Sequence, residues 1–255
     1  MKNLFNIEGK VALVTGGSRG IGEMIATGFV EAGAKVYISA RKAQACNELA
    51  EELSKKGTCI SLPFDLGTME GVEGLAKELA AREEKLDILV NNAGAAWGEP
   101  IDQYSESGWD KVMNINLKGP FFVTQKLLPL LRKAGTYEDP ARIINIASIN
   151  GIVPPDLETY AYSSSKAGCI MLTRHLAGRL AGDNILVNAI APGPFPSAMM
   201  KATLETFGDA IKASNPRKRV GTPEDIAGVA IFLSSRASAY TTGAVIPCDG
   251  GAAEV

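Results

Sequence analysis

The sequence predicts an α/β fold with a parallel, doubly wound sheet. Short apolar strands alternate with helical stretches four times before Asn91, and the connections between them are a few residues long. A glycine-rich turn, Gly16-Gly-Ser-Arg-Gly-Ile-Gly22, joins the first strand to the first helix. Strand, glycine turn and helix in that order let a backbone come close to a phosphate. In an open α/β sheet such ligands lie outside the carboxyl ends of the strands.

At 255 residues the chain suits one large domain, and no linker, repeat or low-complexity stretch divides it. Apolar residues make up 46% and charged residues 21%, ordinary for a globular protein, and the net charge of -2 offers no attraction to nucleic acid or to an anionic membrane. No apolar run approaches the ~18 residues that span a bilayer. The opening Met1-Lys-Asn-Leu-Phe-Asn-Ile-Glu8 reaches an acidic residue before any apolar region of signal-peptide length. A cytoplasmic enzyme with small-molecule ligands fits best. Cys46, Cys59, Cys169 and Cys248 are far apart and His175 is the only histidine. That pattern argues against a metal site or a histidine triad, and for reduced, mostly buried thiols.

Lys10 to Thr15 reads as the first strand. Ile21, Ile25, Phe29 and Ala32 then recur at helical spacing, with Gly33 placed to end the helix. Gly16, Gly20 and Gly22 admit a pyrophosphate. Ser18, Arg19 and Ile21 share the loop at the helix N-terminus, where unpaired N–H groups and the positive dipole end favour an anion. The second strand is Lys35 to Ala40. No Asp or Glu stands between Ala32 and Asn47 to accept from a ribose 2′-hydroxyl; Arg41 and Lys42 stand there instead, so with Arg19 they can converge on a 2′-phosphate. NADPH is the expected cofactor.

A helix over about Ala43 to Lys56 ends at Gly57, and a third strand, Thr58 to Phe64, runs into Asp65-Leu66. Asp65 is placed either to bond an adenine amino group or to cap the turn. After a polar helix, Met69 to Glu84, the buried strand Leu86 to Val90 breaks at Asn91-Asn92-Ala93-Gly94, a ligand approach or a plain turn. Tyr104 to Leu131 reads as one long helical region with Asn114 and Asn116 among apolar positions, and a buried amide must find partners. Past a polar interruption at Ala134 to Pro140, Arg142 to Ala147 is the fifth strand and Ser148 ends it. The helix Tyr160 to Leu180, the strand Ile185 to Ile190, a helix from Pro223 to Leu233 and the strand Ala244 to Pro247 complete the alternation.

Tyr162 and Lys166 lie four apart on the Tyr160 to Leu180 helix, one above the other on one face. A free phenol titrates at about 10, so a phenol working as an acid near neutrality needs about 3–4 kcal/mol of preferential phenolate stabilisation. A neighbouring ammonium is a source of it. Tyr160, the alternative phenol, has Ser164 four residues on and no lysine partner.

Thr15-Gly16-x-x-x-Gly20-x-Gly22, Asn91-Asn-Ala-Gly94, Asn116, Ser148, Tyr162-x-x-x-Lys166, Pro192-Gly193 and Asp249-Gly-Gly251 run from one end of the chain to the other. With them it resembles the short-chain dehydrogenase/reductase family. More narrowly it is similar to the 3-oxoacyl-[acyl-carrier-protein] reductases and, through Leu13 to Gly22 and Pro192-Gly-Pro-Phe-Pro-Ser197, to the branch named for rhamnolipid biosynthesis. The resemblance implies a single NAD(P)-binding Rossmann-type domain over residues 1–255, a seven-stranded parallel sheet flanked by helices, and usually a homotetramer. It also implies roles. Tyr162 protonates a ketone oxygen as hydride arrives from the nicotinamide, and Ser148 polarises that oxygen. Lys166 stabilises the Tyr162 phenolate and holds the nicotinamide ribose, while Asn116 anchors a water that relays protons from Lys166. Cofactor contacts are expected along Asp65-Leu66, Asn92-Ala93-Gly94, Pro192-Gly193, Phe195 and Ser197. Ser197 stands where the family commonly has a threonine bonding the nicotinamide carboxamide.

Residues 195–216 read as a substrate lid. Met199, Met200, Leu204 and Phe207 give it an apolar face for an acyl chain or another hydrophobic ketone, with Trp97 on the opposite wall; alternatively the stripe packs on the domain or at a subunit contact. Acyl-carrier reductases resemble one another in exposed arginines flanking the site mouth. Here Pro129 and Asp183 take those places, with Arg132, Lys133, Arg174 and Arg179 as replacements for docking an acidic acyl carrier protein. The expected reaction is NADPH-dependent reduction of a 3-oxoacyl thioester, on carrier protein or coenzyme A, to the 3-hydroxyacyl product. A sugar, polyol or other secondary-alcohol dehydrogenase is the competing enzyme reading, against which the apolar lid argues. A non-catalytic dinucleotide-binding regulator is the competitor from another class, against which the intact Asn116, Ser148, Tyr162 and Lys166 set argues.

Overall fold

The computed structural model describes residues 3–197 and 200–253. Its centre is one parallel sheet of strands β1 (Val11–Thr15), β2 (Lys35–Ser39), β3 (Cys59–Ser61), β4 (Ile88–Asn91), β5 (Ala141–Ile146), β6 (Ile185–Pro192) and β7 (Val245–Cys248). They lie in the order β3-β2-β1-β4-β5-β6-β7, so the expected seven-stranded doubly wound sheet is present. The helices are α1 (Gly20–Glu31), α2 (Ala43–Leu53), α3 (Met69–Arg82), α4 (Glu106–Met113), α5 (Gly119–Ala134), α6 (Tyr160–Leu180), α7 (Lys201–Ser214) and α8 (Pro223–Ser234). The strand order reverses between β1 and β4, and the crevice at that switch point opens at their carboxyl ends.

Each strand sends alternate side chains to opposite faces, which produces two cores. Ala12, Val14, Val36, Ile38, Val90 and Ile144 pack with residues of α1, α2 and α8. Leu13, Tyr37, Leu89, Ile143 and Val187 pack with residues of α3, α5 and α6. None of the residues of α7 described in these clusters contributes to either, a contrast that matters for the site. Among the described residues no helix is long and apolar enough to cross a membrane.

Three differences from the sequence reading bear on the site. The third strand is confined to Cys59–Ser61, because Pro63 carries no N–H to continue a ladder with β2. β4 does not break at Asn91 but includes it: Asn91 pairs in register with Asn145, and its side-chain amide donates to Asn145 Oδ1 at 2.9 Å and Thr124 Oγ1 at 3.2 Å. The single helical region over Tyr104 to Leu131 is two helices joined by one π-turn, Asn114–Lys118, with α4 started by a Ser105 cap on Gly108 N. In an α-helix the donor to the Asn116 carbonyl would be residue 120, and Pro120 has no N–H.

Candidate active site

The glycine turn after β1 is held from below. Gly16 and Gly20 have φ of +63° and +57°, a region L side chains disfavour. At Gly22 a Cβ would overlap the Gly16 carbonyl oxygen and the Asn92 amide, and at Gly16 it would lie 2.8 Å from Ala93 Cα. Asn92 brackets the loop from β4, donating from Nδ2 to the carbonyls of Thr15 and Gly16, each at 3.0 Å. Thr15 Oγ1 returns the contact, accepting from Asn92 N at 2.9 Å and Ala93 N at 3.1 Å while donating to Val90 O. Both donors of the Asn92 amide are therefore used, and Asn92 shapes the cradle rather than offering its side chain to a ligand. Thr15 was absent from the site residues expected from sequence. Its signal was there: a hydroxyl ending an all-buried strand.

Arg19 precedes α1 in extended conformation and makes no side-chain cap, so the first-turn N–H groups over Gly20, Ile21 and Gly22 point outward without helical partners. Ser18 and Ile21 are half-buried beside them, and Arg19 is exposed. The cradle fits a pyrophosphate. Arg41 stands at the end of β2 with its guanidinium 4.0 Å from Asp65 Oδ2, while Asp65 Oδ1 accepts from Gly67 N at 3.0 Å. Asp65 thus caps its own turn and keeps its outer oxygen toward Arg41. The pair is exposed, and such pairs contribute only about 0–1 kcal/mol, so a 2′-phosphate can draw Arg41 away. Leu66 is buried, with its carbonyl against Gly119.

The acid–base groups collect at the carboxyl end of β5. Ser148 is buried and starts a single 3-10 turn, its Oγ accepting from Asn150 N at 3.1 Å; the hydroxyl proton is left for another acceptor. Gly151 lets that turn lie on α6, since a Cβ there would sit 2.6 Å from the Lys166 carbonyl carbon. On α6, Lys166 is 5% exposed; its Nζ donates to Ile146 O at 2.7 Å and lies 5.6 Å from the centre of the Tyr162 ring. The ammonium keeps two further donors for a ligand. Tyr160 has different company: burial and the Glu158 carboxylate push its phenol up, and its hydroxyl approaches Glu158 Oε1 at 3.4 Å.

Asn116 is brought to this group, with its side chain fully engaged. Its Oδ1 accepts from Ala95 N at 2.8 Å, and its Nδ2 donates to Ala95 O and Ser165 Oγ, each at 3.0 Å. Ser165 passes the contact on to Tyr162 O at 2.7 Å. The amide ties the segment after β4 to α6 and leaves no donor for a water. What Pro120 leaves without an α-helical donor is the Asn116 backbone carbonyl.

Pro192 closes β6, and Gly193 N donates to Cys248 O at 3.0 Å. Phe195 is 2% exposed and belongs to the α1–α8 core, its ring against Gly221, so only its backbone is available to a cofactor. Ser197 reaches the glycine turn: a Cβ at Gly20 would be 3.0 Å from Ser197 Cβ. In the following segment Leu204 is half-buried and Phe207 is 59% exposed, while Met199 lies outside the described residues. Trp97 packs on Gly108, with the Lys111 ammonium 4.4 Å from its ring centre, so its ring serves α4. Of the cations weighed for docking, Arg132 is paired to Asp183 at 2.8 Å; Lys133, Arg174 and Arg179 are exposed. Among the described residues no cluster could hold a metal ion.

A dinucleotide cradle at the switch point and a serine, tyrosine and lysine set after β5 define an oxidoreductase, and the chain belongs to the short-chain dehydrogenase/reductase family. The profile of the family described as Enoyl-(Acyl carrier protein) reductase matches residues 16–253. The rhamnolipids biosynthesis 3-oxoacyl-[acyl-carrier-protein] reductase of Pseudomonas aeruginosa is 49% identical over 253 residues, covering 98% of this chain and 99% of that protein. The 3-oxoacyl-[acyl-carrier-protein] reductase FabG of Aquifex aeolicus is 36% identical, covering 96% of this chain and 98% of its own length. Among solved structures, the Pseudomonas aeruginosa RhlG/NADP active-site complex superposes with a TM-score of 0.95 at 49% identity, covering 99% of this chain and 100% of that one.

Proposed function

We propose that the chain is an NADPH-dependent reductase of 3-oxoacyl thioesters, giving the 3-hydroxyacyl product on carrier protein or coenzyme A. The observation that carries the reading is the Lys166 ammonium, fixed by Ile146 O at the end of β5 and 5.6 Å from the Tyr162 ring centre, with the Ser148 hydroxyl and its free proton two residues beyond Ile146. Similarity to two 3-oxoacyl-carrier reductases and to a solved NADP complex supports substrate and cofactor class. The glycine cradle, the open N–H groups of α1 and the Arg19 and Arg41 side chains would hold the dinucleotide and its 2′-phosphate.

A bound nicotinamide supplies the hydride. Ser148 Oγ donates to the ketone oxygen and Tyr162 gives it a proton, so the charge developing there meets two preorganised donors. Lys166 stabilises the phenolate this leaves behind and offers a spare donor to the ribose. The Asn116 backbone carbonyl holds the water that returns a proton through Lys166.

We read residues 195–216 as the lid over this pocket. An apolar depression of about 470 Å³ at the start of α6, lined by Ile101, Tyr104, Trp109 and Tyr160, suits an acyl chain. Exposed Lys133, Arg174 and Arg179 suit an acidic carrier. A homotetramer is the assembly we expect, supported by the apolar depression of about 440 Å³ lined by Met113, Leu117, Phe121 and Leu172; light scattering on the eluting peak would show a dimer or monomer if this is wrong. We place the enzyme in the cytoplasm, where its four free thiols stay reduced.

NADPH oxidation with 3-oxoacyl-coenzyme A and 3-oxoacyl-carrier substrates of graded length tests the reading. Turnover of at least one chain length is expected; no turnover with any, alongside activity on a sugar or polyol, overturns the substrate class.

A further inference from the structure

Besides the Phe195 ring buried in the core, the segment between β6 and α8 has two contacts that lead to the same turn. At its start, the Gly193 N–H bonds Cys248 O at 3.0 Å, and a Cβ at Gly193 would sit 2.7 Å from Asp249 Cβ. At its end, Asn215 closes α7 and is 3% exposed, although Ser214 and Pro216 on either side are exposed. Its Nδ2 donates to Asp249 O at 2.7 Å and its Oδ1 accepts from Arg217 N at 2.8 Å. Its backbone is used too, the N–H on Ile211 O and the carbonyl on Lys218 N.

The receiving turn is shaped for this contact. Gly250, at φ +70°, leaves the space that Asn215 fills: a Cβ there would be 2.6 Å from Asn215 Oδ1. The Asp249 carboxylate accepts from Gly251 N at 2.9 Å and Ala253 N at 2.8 Å, which fixes the carbonyl that Asn215 binds. Between its two ends no described residue of α7 belongs to either core cluster, so the ends carry its position.

We propose that Asn215 is a positioning residue for the ketone substrate: by fastening the end of the lid to Asp249 O it holds α7 beside the crevice that Ser197 borders at the glycine turn. The proposal rests on the reading of residues 195–216 as a lid. Asn215 touches no reacting atom and acts through the segment it ties down.

Asn215→Asp keeps the acceptor for Arg217 N and replaces the donor to Asp249 O with a carboxylate oxygen that repels it. Gly250→Ala crowds the same contact from the other side and serves as the second variant. In both, KM for a 3-oxoacyl thioester should rise about tenfold, as expected when a buried carbonyl loses its donor, with kcat within about threefold of wild type. NADPH affinity should stay within about twofold, since the glycine cradle is untouched. Independently of any substrate, trypsin should nick the chain at Lys212 about tenfold faster, because fastening opposes local opening. An unchanged nicking rate overturns the fastening. An unchanged KM, or a parallel fall in kcat and NADPH affinity, overturns the positioning role in favour of a general structural one. If wild type turns over no 3-oxoacyl thioester, the substrate reading fails while the trypsin comparison still decides whether Asn215 fastens the segment.

Discussion

The turn after β1 and the segment after β6 both border the same crevice, yet they are held in opposite ways. The glycine turn sits on interior groups along its length: Thr15, Asn92 and Ala93 press against Gly16 and Gly22, and their hydrogen bonds run between central strands. The segment after β6 is held near its ends by Gly193, the buried Phe195 ring and Asn215, while no described residue of α7 joins either core and Phe207 is exposed. A site for a constant cofactor is built into the sheet, where nothing can shift without breaking buried contacts. The segment after β6 is tied mainly near its ends, where local opening would disturb few of them.

The contrast is open to test from both sides. The largest effect belongs to α6, which packs on the sheet: Tyr162→Phe should lower kcat by about 10³-fold while fluorescence titration finds NADPH affinity little changed. Retained turnover would move the acid elsewhere. Gly22→Ala comes next, because its methyl must displace the Gly16 carbonyl or the Asn92 amide. Overpacking of about 1–3 kcal/mol should weaken NADPH binding by roughly 5–150-fold; wild-type affinity would mean the cradle is loose. Arg41→Asp tests a part of the cofactor site that is not embedded. It should shift the NADPH-to-NADH ratio of kcat/KM by about tenfold or more, and an unaltered ratio would assign the 2′-phosphate to other cations.

The smallest effect lies just beyond the lid. The Arg219 guanidinium and the Thr222 N–H hold the Asp225 carboxyl well below the usual carboxylate range, and Asp225 completes the capping box of α8. A depressed folded value stabilises above the unfolded pKa and is lost as pH falls toward the folded one. Asp225→Asn should therefore cost ~1 kcal/mol in urea melts at pH 7, and the gap to wild type should narrow below about pH 4. A gap independent of pH would mean the carboxylate charge contributes nothing.

Much of the site was legible because its signals are local. Glycine spacing after a strand, a four-residue interval on a helix and a missing acidic residue after β2 all lie within one or two elements. Asn116 was recognised as a buried amide in need of partners, yet which atoms it would engage depended on Ala95 and Ser165, distant in sequence. Phe195 was assigned to the cofactor and lid, but its ring fills space beside Gly221 in the core. Arg142 read only as the opening of a strand; it is 1% exposed, and its guanidinium bonds Ser235 O at the end of α8.

By itself the sequence determined the alternation of strands and helices, the residues of the glycine turn and the pairing of Tyr162 with Lys166, since periodicity and short spacing fix which groups share a face. Only the tertiary structure decided that Asn92 clamps the glycine turn and that Asn215, at the end of α7, bonds Asp249 O. Those contacts join residues whose separation along the chain carries no signal. They arise because the sheet order brings β1 beside β4 and β6 beside β7, and buried polar groups must then find partners across that gap.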